Sequence, residues 1–179
     1  TRSEAFDLVA MAAAEGWNPG LHDADAFWAC DPDAFIAAEL DGEVIGGGAI
    51  TAYGEAYGFM GLFIIKPDFR GQGLGSRLWQ ARRDRLIGRL KPGATIGMDG
   101  VFEMADWYAR GGFVLSHRNL RYRMDVPVGF SADASPAVVP LDTLPFDAIE
   151  AYDRQCVPGP RQPFLKAWLS NPESAALGL

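Results

Sequence analysis

Residues 62–78, Leu-Phe-Ile-Ile-Lys-Pro-Asp-Phe-Arg-Gly-Gln-Gly-Leu-Gly-Ser-Arg-Leu, constrain this chain more than any other stretch. An apolar strand-like run enters a turn with glycine at 71, 73 and 75, and the turn opens a long amphipathic helix. Backbone N–H groups in such a turn point outward together at the positive end of the helix dipole, which makes a ready anion site. Glycine lets a phosphate approach the main chain without a Cβ in the way. The spacing therefore predicts a phosphorylated ligand held mainly by backbone.

The periodicities around this turn predict two helices (residues 3–15, capped by Ser3, and 22–29), then a hairpin of residues 35–40 and 43–53 about an Asp41-Gly42 turn. A third strand at 58–65 feeds the glycine turn. A helix at 75–90 leads to a buried strand at 95–98, which a right-handed crossover makes parallel to the third. A short helix at 103–110 and a long strand at 113–124 follow. The fold class is α/β, an α+β mixed sheet with an antiparallel meander, a βαβ crossover and helices on both faces. The three prolines and polar stretch after Met124 read as a linker, giving a first domain at 1–125, a linker at 126–137 and a β-α-α-β piece at 138–179. That piece is too small to bury a core alone. It either packs on the first domain or opens a second domain that stops at Leu179, and the second reading is preferred.

Composition narrows the function. The 179 residues are 49% hydrophobic and 22% charged, ordinary soluble globular values. The formal net charge of -7 argues against general binding to nucleic acid or to an anionic membrane. No apolar run reaches membrane-spanning length. Cys30 and Cys156 lie in no CxxC or Cys/His pattern. They read as free thiols of a reducing, cytoplasmic compartment, with no metal site expected. The chain starts at Thr1 rather than Met, so a longer native N-terminus is expected.

Three phosphate-loop patterns compete at residues 70–76. A P-loop needs Gly-Lys-Ser/Thr after the glycines, which is absent. A dinucleotide fingerprint needs G-x-G-x-x-G, and counting from Gly71 or Gly73 ends on Ser76 or Leu78. Arg70-Gly71-Gln72-Gly73-Leu74-Gly75 matches the Arg/Gln-x-x-Gly-x-Gly/Ala motif of the GNAT superfamily of N-acetyltransferases. Tyr108-Ala109-Arg110-Gly111-Gly112-Phe113 resembles the later Tyr-x-x-x-Gly-Phe signature of that superfamily. The resemblance covers roughly residues 3–124. Gly16-Trp17-Asn18-Pro19-Gly20, residues 117–122 and the tail at 138–169 further resemble bacterial proteins with two GNAT-like domains in tandem.

The resemblance implies acetyl-CoA, or another acyl-CoA, as donor and an amine of a small molecule or peptide as acceptor. Main-chain N–H groups of Gln72, Gly73, Leu74, Gly75 and Ser76 then hold the pyrophosphate. Phe63 and Ile65 pair with the pantetheine, a backbone N–H near Phe63 or Ile64 meets the oxyanion, and Arg70 and Arg77 add charge. Tyr108 takes the general-acid position, although the Asn common one to two turns before it is replaced around Val101 and Phe102. Arg82, Arg83, Arg85 and Arg89 read as a solvated helix face. No general base stands out. Asp99 and Glu103 read first as helix-start acids, and His22 and Asp23 as a surface histidine and a cap. His117 reads as a sheet-face residue, and Trp17, Phe27, Trp28 and Trp107 as core or acceptor walls. Two alternatives stay open: a GNAT fold that binds acyl-CoA as a sensor or scaffold without turnover, and transfer to a hydroxyl.

Overall fold

A computed structural model describes residues 1–129, 137–171 and 173–179; positions 130–136 of the expected linker lie outside the described residues. The described chain forms two compact units.

The first unit comprises Thr1–Asp99 and Pro145–Ser174. It contains α1 (Arg2–Ala14), α2 (Asp23–Cys30), β1 (Phe35–Leu40), β2 (Glu43–Tyr53), β3 (Tyr57–Ile65), α3 (Leu74–Ile87) and β4 (Thr95–Met98). After a break it adds α5 (Phe146–Cys156) and α6 (Gln162–Leu169). The sheet order is β1-β2-β3-β4, antiparallel except for the parallel β3–β4 pair. The expected meander and crossover are therefore present. Asp41 and Gly42 sit at φ 52 and 83, the left-handed pair that a two-residue hairpin twist requires.

Two adjacent β2 positions show how the faces are covered. A Cβ on Gly47 would point at Leu8 of α1, and one on Gly48 at Arg82 of α3. Successive strand residues face opposite ways, so α1 and α3 cover opposite faces. On α1's face, Leu8 and Ala12 close over Ile64, with Trp17 and Leu62 at the margin. On that face too, Ala26 of α2 and Phe164 of α6 pack over Tyr53 and Tyr57. On the α3 face Leu78, Trp79 and Leu86 are buried. Helix α1 starts two residues earlier than Ser3 predicts: Thr1 is its N-cap, and the Thr1 hydroxyl donates to Glu4.

The second unit comprises Gly100–Leu144 and Ala175–Leu179. It holds α4 (Ala105–Arg110), entered through a 3₁₀ turn at Phe102–Met104, and a two-residue ladder of β5 (Val139–Pro140) with β6 (Leu177–Gly178). The strand expected at 113–124 is not formed: these residues carry no regular structure. Val114, Leu120 and Tyr122 are 90%, 71% and 85% exposed. Alternating side chains favour a strand only where a neighbour covers one face of the pleat.

Candidate active site

The glycine turn and the strand before it form one corner. Gly71 and Gly73 have φ of 76 and 79, and nothing lies within 4 Å of the Cβ either would carry. The space before the loop is open, and glycine is required by the backbone rather than by crowding. Gly73 is the N-cap of α3, and the first intrahelical bond runs from the Arg77 N–H to the Gly73 carbonyl at 3.2 Å. The N–H groups of Leu74, Gly75 and Ser76 have no acceptor inside the helix. No side chain caps this end and no acid lies in its first turn, so its positive pole is uncompensated locally.

The side chains of the motif brace the loop. Arg70 Nε donates to the Ile65 carbonyl at 2.7 Å, and its Nη2 pairs with Glu15 at the end of α1. Gln72 Nε2 donates to the Asp68 carbonyl at 3.1 Å. Arg77 and Ser76 are exposed on the outer turn.

Strand β3 is irregular just before the loop. Ala49 pairs with Gly61 and Gly47 with Ile64, so Leu62 and Phe63 together stand opposite Gly48. This is a β-bulge, which bends a strand and re-aims its backbone. Leu62 has φ 49, a left-handed conformation that few leucines adopt. Pairing with β4 also ends at Met60, so β3 has lost that neighbour where the bulge begins, while pairing with β2 resumes at Ile64. Phe63 packs its ring on Trp79 at 5.8 Å, while Ile64 and Ile65 are buried.

Two arginines expected on a solvated face are not there. Arg82 is fully buried, and its Nη2 donates to the carbonyls of Ala49 at 2.7 Å and Gly61 at 2.6 Å. Arg89 donates to both carboxylate oxygens of Asp31 at 2.7 Å and to the Ile50 carbonyl at 3.0 Å. Asp31, 6% exposed, also accepts the Ala52 N–H at 2.9 Å. Arg83 pairs with its neighbour Asp84, and Arg85 remains exposed.

The remaining candidates divide. Asp23 accepts the Gly20 N–H at 2.8 Å and so closes the turn before α2. His22 meets Glu173 at 2.5 Å, a partner 151 residues away that sequence spacing does not disclose. The turn after Asp99 has Val101, not Asp99, at its N-cap position. The charge of Asp99 instead adds to burial in holding the Tyr57 proton, against the opposing charge of Arg161. Phe27 packs on Phe164, Trp28 on Phe35, and Trp17 beside Leu8 and Ala12.

In the second unit Tyr108 meets Trp107 edge to face at 5.5 Å, and a Cβ on Gly100 would come within 2.4 Å of its ring. Glu103 lies in the 3₁₀ turn ahead of α4. His117 is exposed beside Ser116 and lies in no strand.

Burial, then the adjacent Asp31, pushes the Cys30 thiol up to about 11. Both cysteines are free. Among the described residues no three His, Cys, Asp or Glu side chains cluster as metal ligands, and no helix is long and apolar enough to cross a membrane.

This corner, a bulged strand delivering a glycine turn to a helix N-terminus, is an arrangement suited to an anion, and the comparisons give its family. The Acetyltransferase (GNAT) family model matches residues 3–113, and the chain belongs to that family. It is 28% identical over 163 residues to holothin acyltransferase of Pseudoalteromonas sp., covering 89% of this chain and 52% of the relative. It is 37% identical over 76 residues to an acetyltransferase of Pectobacterium atrosepticum, covering 41% and 51%. The chain thus spans about half the length of these curated relatives. Among solved structures, an acetyltransferase candidate from Pyrococcus horikoshii superposes with TM-score 0.79 at 20% identity, over 99% of this chain and 62% of the other, a likeness of fold.

Proposed function

We propose that this chain is a cytoplasmic acyl-CoA-dependent N-acyltransferase that passes an acetyl or related acyl group to an amine of a small molecule or peptide within a ternary complex. The observation that carries this reading is the α3 N-terminus, where left-handed Gly71 and Gly73 open the approach and no first-turn acid opposes an anion. The main-chain N–H groups of residues 72–76 hold the pyrophosphate, with Arg77 as the exposed cation beside them. Arg70 serves the same site as a brace through Ile65 and Glu15. The backbone of Phe63 and Ile65 pairs with the pantetheine arm, and residues 138–179 are read as the start of a second GNAT-like domain after a linker at 126–137.

The acceptor must arrive as a neutral amine, against an ordinary alkylammonium pKa of ~10.4. Its lone pair attacks the thioester carbonyl, the C–N bond forms, and the C–S bond breaks as the tetrahedral oxyanion collapses. An N–H of the β3 bulge near Phe63 or Ile64 stabilises that oxyanion. Tyr108 supplies the proton to the leaving thiolate, and the proton that the attacking nitrogen sheds on forming the amide passes to solvent, from which Tyr108 is reprotonated. Juxtaposition of donor and acceptor supplies much of the rate.

Calorimetric titration with acetyl-CoA tests the donor site: the parent chain binds, and Gly73→Glu, which brings a charge and a Cβ to a left-handed cap, does not. Release of free CoA thiol against a panel of amines, with holothin as the first, tests turnover. Binding without turnover on any amine would assign the chain to the sensor reading instead.

A further inference from the structure

Arg82 is the largest side chain that the first unit buries completely. Burying a guanidinium is expensive, and an apolar residue would fill a core position at lower cost. Its bonds show what it does there. The carbonyls it joins, Ala49 on β2 and Gly61 on β3, form the last regular pair before the bulge. Its guanidinium also stands 5.1 Å from the centroid of Phe63, one of the two bulged residues. The residue opposite the bulge is Gly48, where a Cβ would come within 2.3 Å of the guanidinium carbon and Nε. A bare Gly48, a left-handed Leu62 and a buried Arg82 therefore make one construction.

We infer that Arg82 is a positioning residue for acyl transfer, holding the Gly61–Phe63 backbone in its bulged course so that the strand keeps its N–H groups aimed for the thioester carbonyl. The inference rests on the function proposed above. Arg82 sits on α3, whose other end is the anion site, so one rigid helix sets both ends of the donor. Its removal leaves two inward-facing carbonyls without their donor, and β3 relaxes toward regular pairing with β2. The anion end, built from Gly71 and Gly73, stays as it is. Loss of Arg82 thus separates two properties that a general loss of stability would reduce together.

The experiment uses Arg82→Met, Arg82→Lys and Gly48→Ala in the full chain, each checked for cooperative unfolding, with acetyl-CoA labelled with ¹³C at the thioester carbonyl as probe. In the parent the carbonyl resonance moves downfield on binding. In Arg82→Met it stays near its free value, CoA affinity remains within about threefold, and turnover at saturating donor falls about 10²-fold, as when an oxyanion donor is removed. Arg82→Lys, which can still reach carbonyls, recovers part of the shift, and Gly48→Ala behaves like Arg82→Met. If Arg82→Met does not fold, the other two variants carry the comparison. Folded variants that keep the parent's shift and rate overturn the role of Arg82 and leave the acyltransferase reading standing. A parent chain that binds no acetyl-CoA overturns both.

Discussion

The corner where β3 meets α3 and the stretch from Gly100 to Met124 each carry half of one family signature, yet they are built differently. At the β3–α3 corner three side chains are tied to structural neighbours: Arg70 reaches Ile65 and Glu15, Gln72 reaches Asp68, and the Phe63 ring lies against Trp79 and Arg82. In the second stretch, α4 has six residues and buries none, and the segment after it exposes Leu115, Tyr122 and Met124. A turn with a helix behind it is fixed by residues close in sequence. A strand needs a partner from elsewhere, and alternation alone does not supply one.

That contrast can be broken or sharpened by measurement. The largest expected effect is at Asp31, whose replacement by Ala leaves Arg89 half-buried without its carboxylate and costs about 3–5 kcal/mol in denaturant unfolding. Next is Leu86→Ala, at 0% exposure, with a loss of about 3 kcal/mol; Leu120→Ala, at 71%, changes stability by no more than about 0.5 kcal/mol. Equal losses at the two leucines would show that residues 113–124 are packed in solution. Tyr108→Phe should lower turnover about 10²-fold while leaving acetyl-CoA affinity in place, and an unchanged rate would remove the acid role without touching the donor site. The smallest effect is a pH dependence. Cys30 ionises near 11 folded, against 9.0 for an ordinary thiol, so its contribution to stability is complete below pH 9 and disappears as pH rises through 11. Alkylation at pH 8 should therefore mark Cys156 well before Cys30.

Much of the first unit is legible from local chemistry. The Asp41-Gly42 dipeptide specifies its hairpin, and β1, β2 and β4 have the bounds that the sequence predicts. The glycine turn is legible because only glycine adopts left-handed φ at no cost. The bulge is not, because Leu62 is a residue that disfavours φ 49. A signal nonetheless existed in Gly46-Gly47-Gly48, since consecutive glycines in a strand mark close approach or a bulge. Arg82 was likewise readable: Leu78, Arg82 and Leu86 lie at i, i+4 and i+8, which places the arginine in the apolar stripe rather than among its solvated neighbours. Thr1, three residues before Glu4, makes a better capping box than Ser3. The pairings of Asp31 with Arg89 and His22 with Glu173 join distant segments, and no local rule predicts them.

The discontinuity of the first unit has a consequence for biosynthesis. Phe164 packs on Phe27, and the backbone at Gly159 lies against the Tyr57 ring, so the cover over this part of the sheet is encoded well after the sheet itself. About 75 residues separate Asp99 from Ser174. At ribosomal speeds of roughly 5–20 residues per second, the nascent sheet waits roughly 4–15 s with Tyr53, Tyr57 and Phe27 uncovered. During that interval the emerging chain presents an aromatic surface to chaperones, and a pause in translation before residue 174 would lengthen its exposure.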